Sequence, residues 1–307
     1  MGPIHRIETS IGALALTAIR AAQRRALKVE VREHTDARGR VTPYLLAGTP
    51  RRGHLVWLHG FGDRFDTILQ AAPRLMDDWQ ILAPSMPAFG EGWVDPAETH
   101  TFDAYADWMF AVLRDVAPPR FHLMGNSLGG ATAVKVAARM PDAVESVVAL
   151  NSAGVRLDGV HCAHVEMEGG DNLFEVQHRE DYDRLQRRLF ARPMKLPRPI
   201  ETYLFDFQRR NADWYIRVGQ DLSTSEVHAE GDGWISYLEL GDVRAPLLAL
   251  WGDQDTLFPV AHAEHLADTV ERGEHERIEG VGHVPHLESP KRLADAFRRW
   301  SARLGRF

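Results

Sequence analysis

The chain has a single cysteine, Cys162, in 307 residues. No intrachain disulfide can form, and the usage fits a reducing compartment. Long apolar runs are also missing. The longest near the start covers residues 11–19 and stops at Arg20, whereas a membrane-spanning helix needs about 20 apolar residues. Glu8, Arg20, Arg24 and Arg25 fit a secretory signal poorly. The opening Met1-Gly2-Pro3-Ile4-His5-Arg6 lacks the hydroxyl residue of a myristoylation site. Positive charge is in deficit, with 36 Lys and Arg against 43 Asp and Glu, a net charge of -7. That disfavours a phosphate-backbone binder, so no nucleic-acid partner is expected. There is no internal repeat and no long low-complexity tract. What is present is ordinary for a globular protein, 44% hydrophobic and 26% charged residues. The length suits one large domain, or a core with an insertion.

Residues 11–28 read as an amphipathic helix, with Arg20, Arg24, Arg25 and Lys28 on its polar side. The preferred expectation is packing on the domain; the alternative is a helix lying on a membrane surface. Lys28 to Arg32 and Val41 to Leu46 form an expected strand pair around the turn Asp36-Ala37-Arg38-Gly39. Pro43 lacks an N–H, which places the second strand at a sheet edge. Further strands are expected at 54–58, 79–83, 121–125, 143–150, 246–251 and 274–278. Helical patterns fall at 101–116, 128–140, 260–270 and 290–303. Strands alternating with helices predict an α/β fold, a mostly parallel eight-stranded sheet with helices on both faces. From about Gly154 to Gly241 the alternation stops. The expected organisation is a core of 1–153 and 242–307, with 154–241 as an inserted helical cap over the carboxyl ends of the strands. Open α/β sheets place their sites there.

Gly125-Asn126-Ser127-Leu128-Gly129 matches G-x-S-x-G. Alone the pattern is weak, but it sits between the strand Phe121-His122-Leu123-Met124 and a helix opening Gly129-Gly130-Ala131. A sharp strand-to-helix turn would strain Ser127 and expose its Oγ. Gly125 and Gly129 are required because a side chain there would strike a neighbouring element. Asn126 reads as a tolerated turn residue. His59-Gly60-Phe61-Gly62-Asp63 follows the strand ending at Leu58. Its glycines let the backbone aim an amide at a developing oxyanion. Phe61 and Leu128 are the candidate backbone N–H donors, with His59, Gly60 and Gly62 as supporting loop residues.

Gly280-Val281-Gly282-His283-Val284-Pro285-His286 follows the last strand. His283 is the expected base and His286 an expected structural contact. Trp251-Gly252-Asp253-Gln254-Asp255 ends the preceding strand. Asp253 lies in the turn, where Asp bonds local N–H groups. Asp255 is better placed to accept from Nδ1–H of the base and fix its tautomer. The expected catalytic set is therefore Ser127, Asp255 and His283.

With these motifs the chain resembles the α/β-hydrolase superfamily over nearly its whole length. Ser127, Asp255, His283 is the triad order of that fold. More narrowly it is similar to bacterial lipases and membrane-anchored animal monoacylglycerol lipases. Asn151-Ser152-Ala153-Gly154, Glu180-Asp181-Tyr182-Asp183-Arg184-Leu185 and Leu196-Pro197-Arg198-Pro199-Ile200 carry that likeness. The resemblance implies an α/β-hydrolase fold and a serine esterase or lipase acting through an acyl-enzyme on Ser127. It departs at Pro84-Ser85-Met86-Pro87-Ala88-Phe89-Gly90, where the family has Asp-x-Pro-Gly-x-Gly, and in lacking the spanning anchor of the animal relatives.

The alternative reaction is carbon–carbon bond hydrolysis of aromatic ring-cleavage products, by enzymes with a similar Gly-Asn-Ser turn. A lesser one is a non-catalytic ligand binder on the same fold. A metal reading of His161-Cys162-Ala163-His164-Val165-Glu166-Met167-Glu168 fails on spacing, and an exposed cap loop is expected there. His262 and His265 are expected to be solvated. No metal and no organic cofactor is expected. The expected partner is a small ester or lipid, and the expected location is cytoplasmic, with peripheral membrane contact through the N-terminal helix or cap.

Overall fold

The structure, a computed structural model, describes residues 3–305. Helix α1 (Pro3–Ala26) precedes strands β1 (Glu30–Thr35), β2 (Val41–Ala47), β3 (Gly53–Leu58) and β4 (Trp79–Pro84). Then come α2 (Phe102–Val116), β5 (Phe121–Asn126), α3 (Leu128–Arg139) and β6 (Val144–Leu150). The next segment holds β7 (Val155–Leu157), α4 (Ala163–Glu168), α5 (Arg179–Leu189), α6 (Arg198–Ser223), β8 (Ala229–Gly231) and β9 (Trp234–Ser236). The chain returns to the sheet with β10 (Leu247–Gly252), α7 (Ala261–Thr269), β11 (Gly273–Ile278), α8 (Pro285–Glu288) and α9 (Pro290–Arg303).

Eight strands form one sheet in the order β1-β2-β4-β3-β5-β6-β10-β11. Only the β1–β2 and β2–β4 pairings are antiparallel. Along β3 and β5 the residues alternate between two apolar clusters. Val56, Leu58 and Leu123 join α2, α3 and α7 on one face, while Leu55, Trp57 and Met124 join α9 on the other. The period of two puts successive side chains on opposite faces, and both faces are covered, as a parallel sheet requires. Every residue of β5 and β10 is buried. At the start of α2, Thr101 caps the helix by accepting from Ala104 N at 3.1 Å.

Pro43 is not in an edge strand, as its missing N–H suggested: β2 lies between β1 and β4. The Pro43 carbonyl accepts from Ser85 N at 2.8 Å. The side lacking a donor thus faces the chain just past the end of β4, so the missing N–H falls at the end of that ladder and not within it. Helix α1 starts earlier than expected, at Pro3 rather than about residue 11. It packs on α6, where Gly12 is needed, since a Cβ there would lie 2.0 Å from the Pro199 carbonyl oxygen. His5 reaches Asp206 at 2.8 Å and Arg24 reaches Asp66 at 2.5 Å. The segment 154–241 is not helical throughout. Its three short strands form a separate antiparallel sheet, β7-β9-β8. Within the expected loop at 161–168, residues 163–168 instead form α4, with Cys162, Ala163 and Glu166 buried.

Candidate active site

Ser127 links β5 to α3 at φ 56° and ψ -119°. Positive φ is costly for a residue with a Cβ, and the neighbours enforce it. A Cβ on Gly125 would lie 2.0 Å from the Gly129 oxygen, and one on Gly129 would lie 2.2 Å from the Leu58 oxygen. The turn thus closes so tightly against β3 and α3 that only glycine fits beside the serine. Ser127 occupies the cap position of α3 without making a side-chain cap bond, which leaves its Oγ unengaged by the helix. Leu128 is the first helical residue, so its N–H has no intrahelical acceptor.

The His59–Asp63 loop follows β3. His59 is fully buried, accepts from Met86 N at 2.9 Å through Nε2, and places Nδ1 3.0 Å from the Gly60 oxygen. It thereby holds the loop against residues 84–90, and burial pushes its pKa down. In that second loop Ala88 adopts φ 71°, a left-handed turn where the family pattern has glycine, and its carbonyl accepts from Trp214 Nε1 at 3.0 Å.

His283 Nδ1 lies 2.8 Å from Asp255 Oδ2, both buried. The carboxylate also accepts from Asn151 Nδ2 at 2.7 Å and from the backbone of Leu257 and Phe258 at 2.8 and 3.1 Å. With Nδ1 engaged, Nε2 is the imidazole nitrogen left free of Asp255, and His283 and Ser127 line the same cleft. Asp253 instead accepts from Gly280 N at 2.6 Å, an amide 27 positions away in the loop after β11 rather than one in its own turn. His286 is buried with Nε2 3.3 Å from Asp63 Oδ2, tying the histidine loop to the glycine-rich loop. Burial pushes the Asp63 carboxyl up, but His286, His59 and the Arg64 amide outweigh it and hold it below the usual range.

Two asparagines escaped the sequence reading as supports. Asn151, at φ 45°, also accepts from Gly252 N at 3.2 Å. Asn126 is no mere turn residue: it is buried and donates to the carbonyls of His283 at 3.0 Å and Leu150 at 3.1 Å. Glu288 accepts from Gly282 N at 2.8 Å and from Ala191 N at 2.9 Å. Burial raises its pKa despite those bonds.

Two arms of one cleft meet at Ser127, Phe61 and Phe174. One runs past His283 to Leu189, Phe190 and Gln208. The other runs past Leu128 to Phe102, His164, Met167, Leu222 and Phe258. Phe174, Leu189 and Phe190 therefore line the cleft, while Leu173 packs in the core.

The residues 161–168 converge on no metal site: His161 and Arg188 pair with Glu166, and His164 turns to Gly154. Asp103, His228 and Glu239 do lie close together. Lys135 Nζ already sits 2.9 Å from Asp103 and 2.7 Å from Glu239, and Arg139 reaches the same two carboxylates at 3.0 and 3.4 Å, so this is an ion-pair network. His262 is buried rather than solvated, with Nδ1 on the Pro259 carbonyl at 2.8 Å, and His265 packs on Trp234.

A family model for the alpha/beta hydrolase fold matches residues 53–290. Lipase 1 of Psychrobacter immobilis is 23% identical over 280 residues, 90% of this chain and 85% of that protein. Human monoacylglycerol lipase ABHD6 is 24% identical over 286 residues, 88% of this chain and 82% of that protein. The crystal structure of a membrane phospholipase A, a bacterial virulence factor, matches with TM-score 0.86 and 25% identity over 97% of this chain and 93% of that one.

Proposed function

The chain belongs to the α/β-hydrolase family, and from that premise we propose that it is a serine hydrolase of carboxylic esters. The carrying observation is His283 fixed by Asp255 at 2.8 Å beside the cleft that holds Ser127 at positive φ. Ser127 Oγ attacks the ester carbonyl carbon while His283 Nε2 takes its proton. The oxyanion lies against the Phe61 and Leu128 amides. His283 returns the proton to the leaving alcohol, and then activates water to release the acid from Ser127. Asp255 stabilises the imidazolium and stays ionised.

His283 must reach the leaving oxygen, so the alcohol occupies the arm with Leu189, Phe190 and Gln208. The acyl group takes the arm beyond Leu128. Its apolar wall supports a medium or long acyl chain, and segment 154–241 acts as the cap that supplies much of that wall.

Helix α1 supports peripheral contact with an anionic lipid surface. Ile4, Ile7, Ile11 and Leu14 are 71, 59, 49 and 72% exposed along its outward face. The exposed charges on and just after α1, Arg6, Arg25 and Lys28, are all positive. Among the described residues no helix is long and apolar enough to cross a membrane.

The test is an activity panel of esters of graded chain length, monoacylglycerols and a ring-cleavage dienoate, on wild type and Ser127→Ala. Ester turnover should fall by on the order of 10³-fold or more in the variant. Turnover at the wild-type rate would refute the assignment, and cleavage of the dienoate alone would move the reaction to a carbon–carbon bond.

A further inference from the structure

The acyl arm is apolar except at two side chains, Ser127 and His164. His164 stands near the start of α4, and its Nε2 accepts from Gly154 N at 3.1 Å. A nitrogen that accepts carries no proton, so the proton is on Nδ1. Among the described residues no protein acceptor meets that N–H, and Nδ1 is not sealed inside the protein. The ring is held in place by Phe102, Tyr237 and Phe258, with centroids 5.8, 5.6 and 5.2 Å away. Burial, with His262 and Arg156 nearby, pushes its pKa down to about 3. The imidazole therefore stays neutral at working pH and offers a donor without a charge.

An unmet donor in an apolar pocket is costly to leave dry. A group that supplies an acceptor gains what a plain methylene loses, and such sites discriminate more sharply than apolar ones. We propose that His164 is a specificity-determining residue, its Nδ1–H selecting acyl groups that carry a hydrogen-bond acceptor such as a ketone or hydroxyl oxygen along the chain. This rests on the esterase reading and on the acyl group lying beyond Leu128. Nothing is transferred at His164; it contacts the substrate away from the scissile bond.

Two readouts separate failure of this proposal from failure of the esterase reading. The first is kcat/KM for a plain alkanoyl ester and for matched esters with a ketone stepped one carbon at a time along the acyl chain. Wild type should prefer one ketone position by roughly ten-fold. His164→Phe should abolish that preference, and His164→Asn, which keeps a donor near Nδ1, should retain part of it. The second is calorimetric binding of the corresponding free acids to Ser127→Ala, which needs no turnover and should show the same position dependence. If wild type has no ketone preference in either readout, or if His164→Phe keeps it, the proposal is overturned. If ketone acids bind with dependence on His164 while no ester is cleaved, the esterase reading fails and the subsite stands.

Discussion

Asp255 receives four hydrogen bonds, from His283, Asn151 and two backbone amides. Each donor lowers the cost of keeping a charge away from water and fixes where Oδ2 points. Asn151 is the support that can be removed without touching the proposed triad. Asn151→Ala should lose a charged-acceptor bond of about 1.5–3 kcal/mol. Where that loss is felt in the transition state, kcat should drop roughly ten- to a hundred-fold with KM little changed. Steady-state kinetics checks this; a variant that changes KM and spares kcat would place Asn151 in substrate binding. The His283–Asp255 pairing and the strained turn at Ser127 were legible in the sequence because each residue follows a strand inside a glycine-bearing motif. Asn126 and Asn151 were not. Their partners lie 157 and 104 positions away, in His283 and Asp255, and no local pattern records such a pairing.

At the scale of elements, α1 packs on the domain with one face, as expected, and leaves an apolar row exposed on the other. Gly12, His5, Thr9 and Arg24 bind it to α6 and to the loop after β3. The outward row Ile4, Ile7, Ile11 and Leu14 follows helical spacing, so about three turns present apolar side chains with no charge among them. Water solvates such a row poorly, and the proposed anionic lipid surface would cover it while attracting Arg6, Arg25 and Lys28. The chain should co-sediment with anionic vesicles more than with zwitterionic ones, and added salt should weaken it. Replacing Ile7 and Ile11 by Glu should abolish binding while circular dichroism stays unchanged, because both side chains point outward. Salt-insensitive self-association removed by the same change would instead identify a second copy as the covering surface. Strands and core helices were read to within a few residues, since periods of two and 3.6 are local signals. The position of β2 was not, because strand order depends on pairing between distant segments. The small β7-β9-β8 sheet was missed for a related reason. Its strands have three residues each, too short for periodicity to register.

Across the whole molecule, histidine burial links stability to pH. His59, His100, His122 and His262 are buried, and all four have pKa values pushed down by burial; His164 is pushed down to about 3. His262 shows the cause in atoms: Nδ1 donates to the Pro259 carbonyl, and Nε2 is buried without an acceptor. A second proton there would meet nothing. In the unfolded chain each ring titrates near ~6.5. Below that pH the unfolded state binds protons that the folded state refuses, so stability falls as pH drops from about 6.5 toward the lowered folded values. Each such proton is worth about 1.36 kcal/mol per pH unit, or about 2 °C in Tm for a domain of this size. Calorimetry from neutral pH down to about pH 5 should therefore give a decline steeper than a single proton allows. His262→Phe should remove about one proton from that slope. A Tm that stays flat over the range would mean that these rings take up protons in the folded state, and that the packing around them opens to allow it.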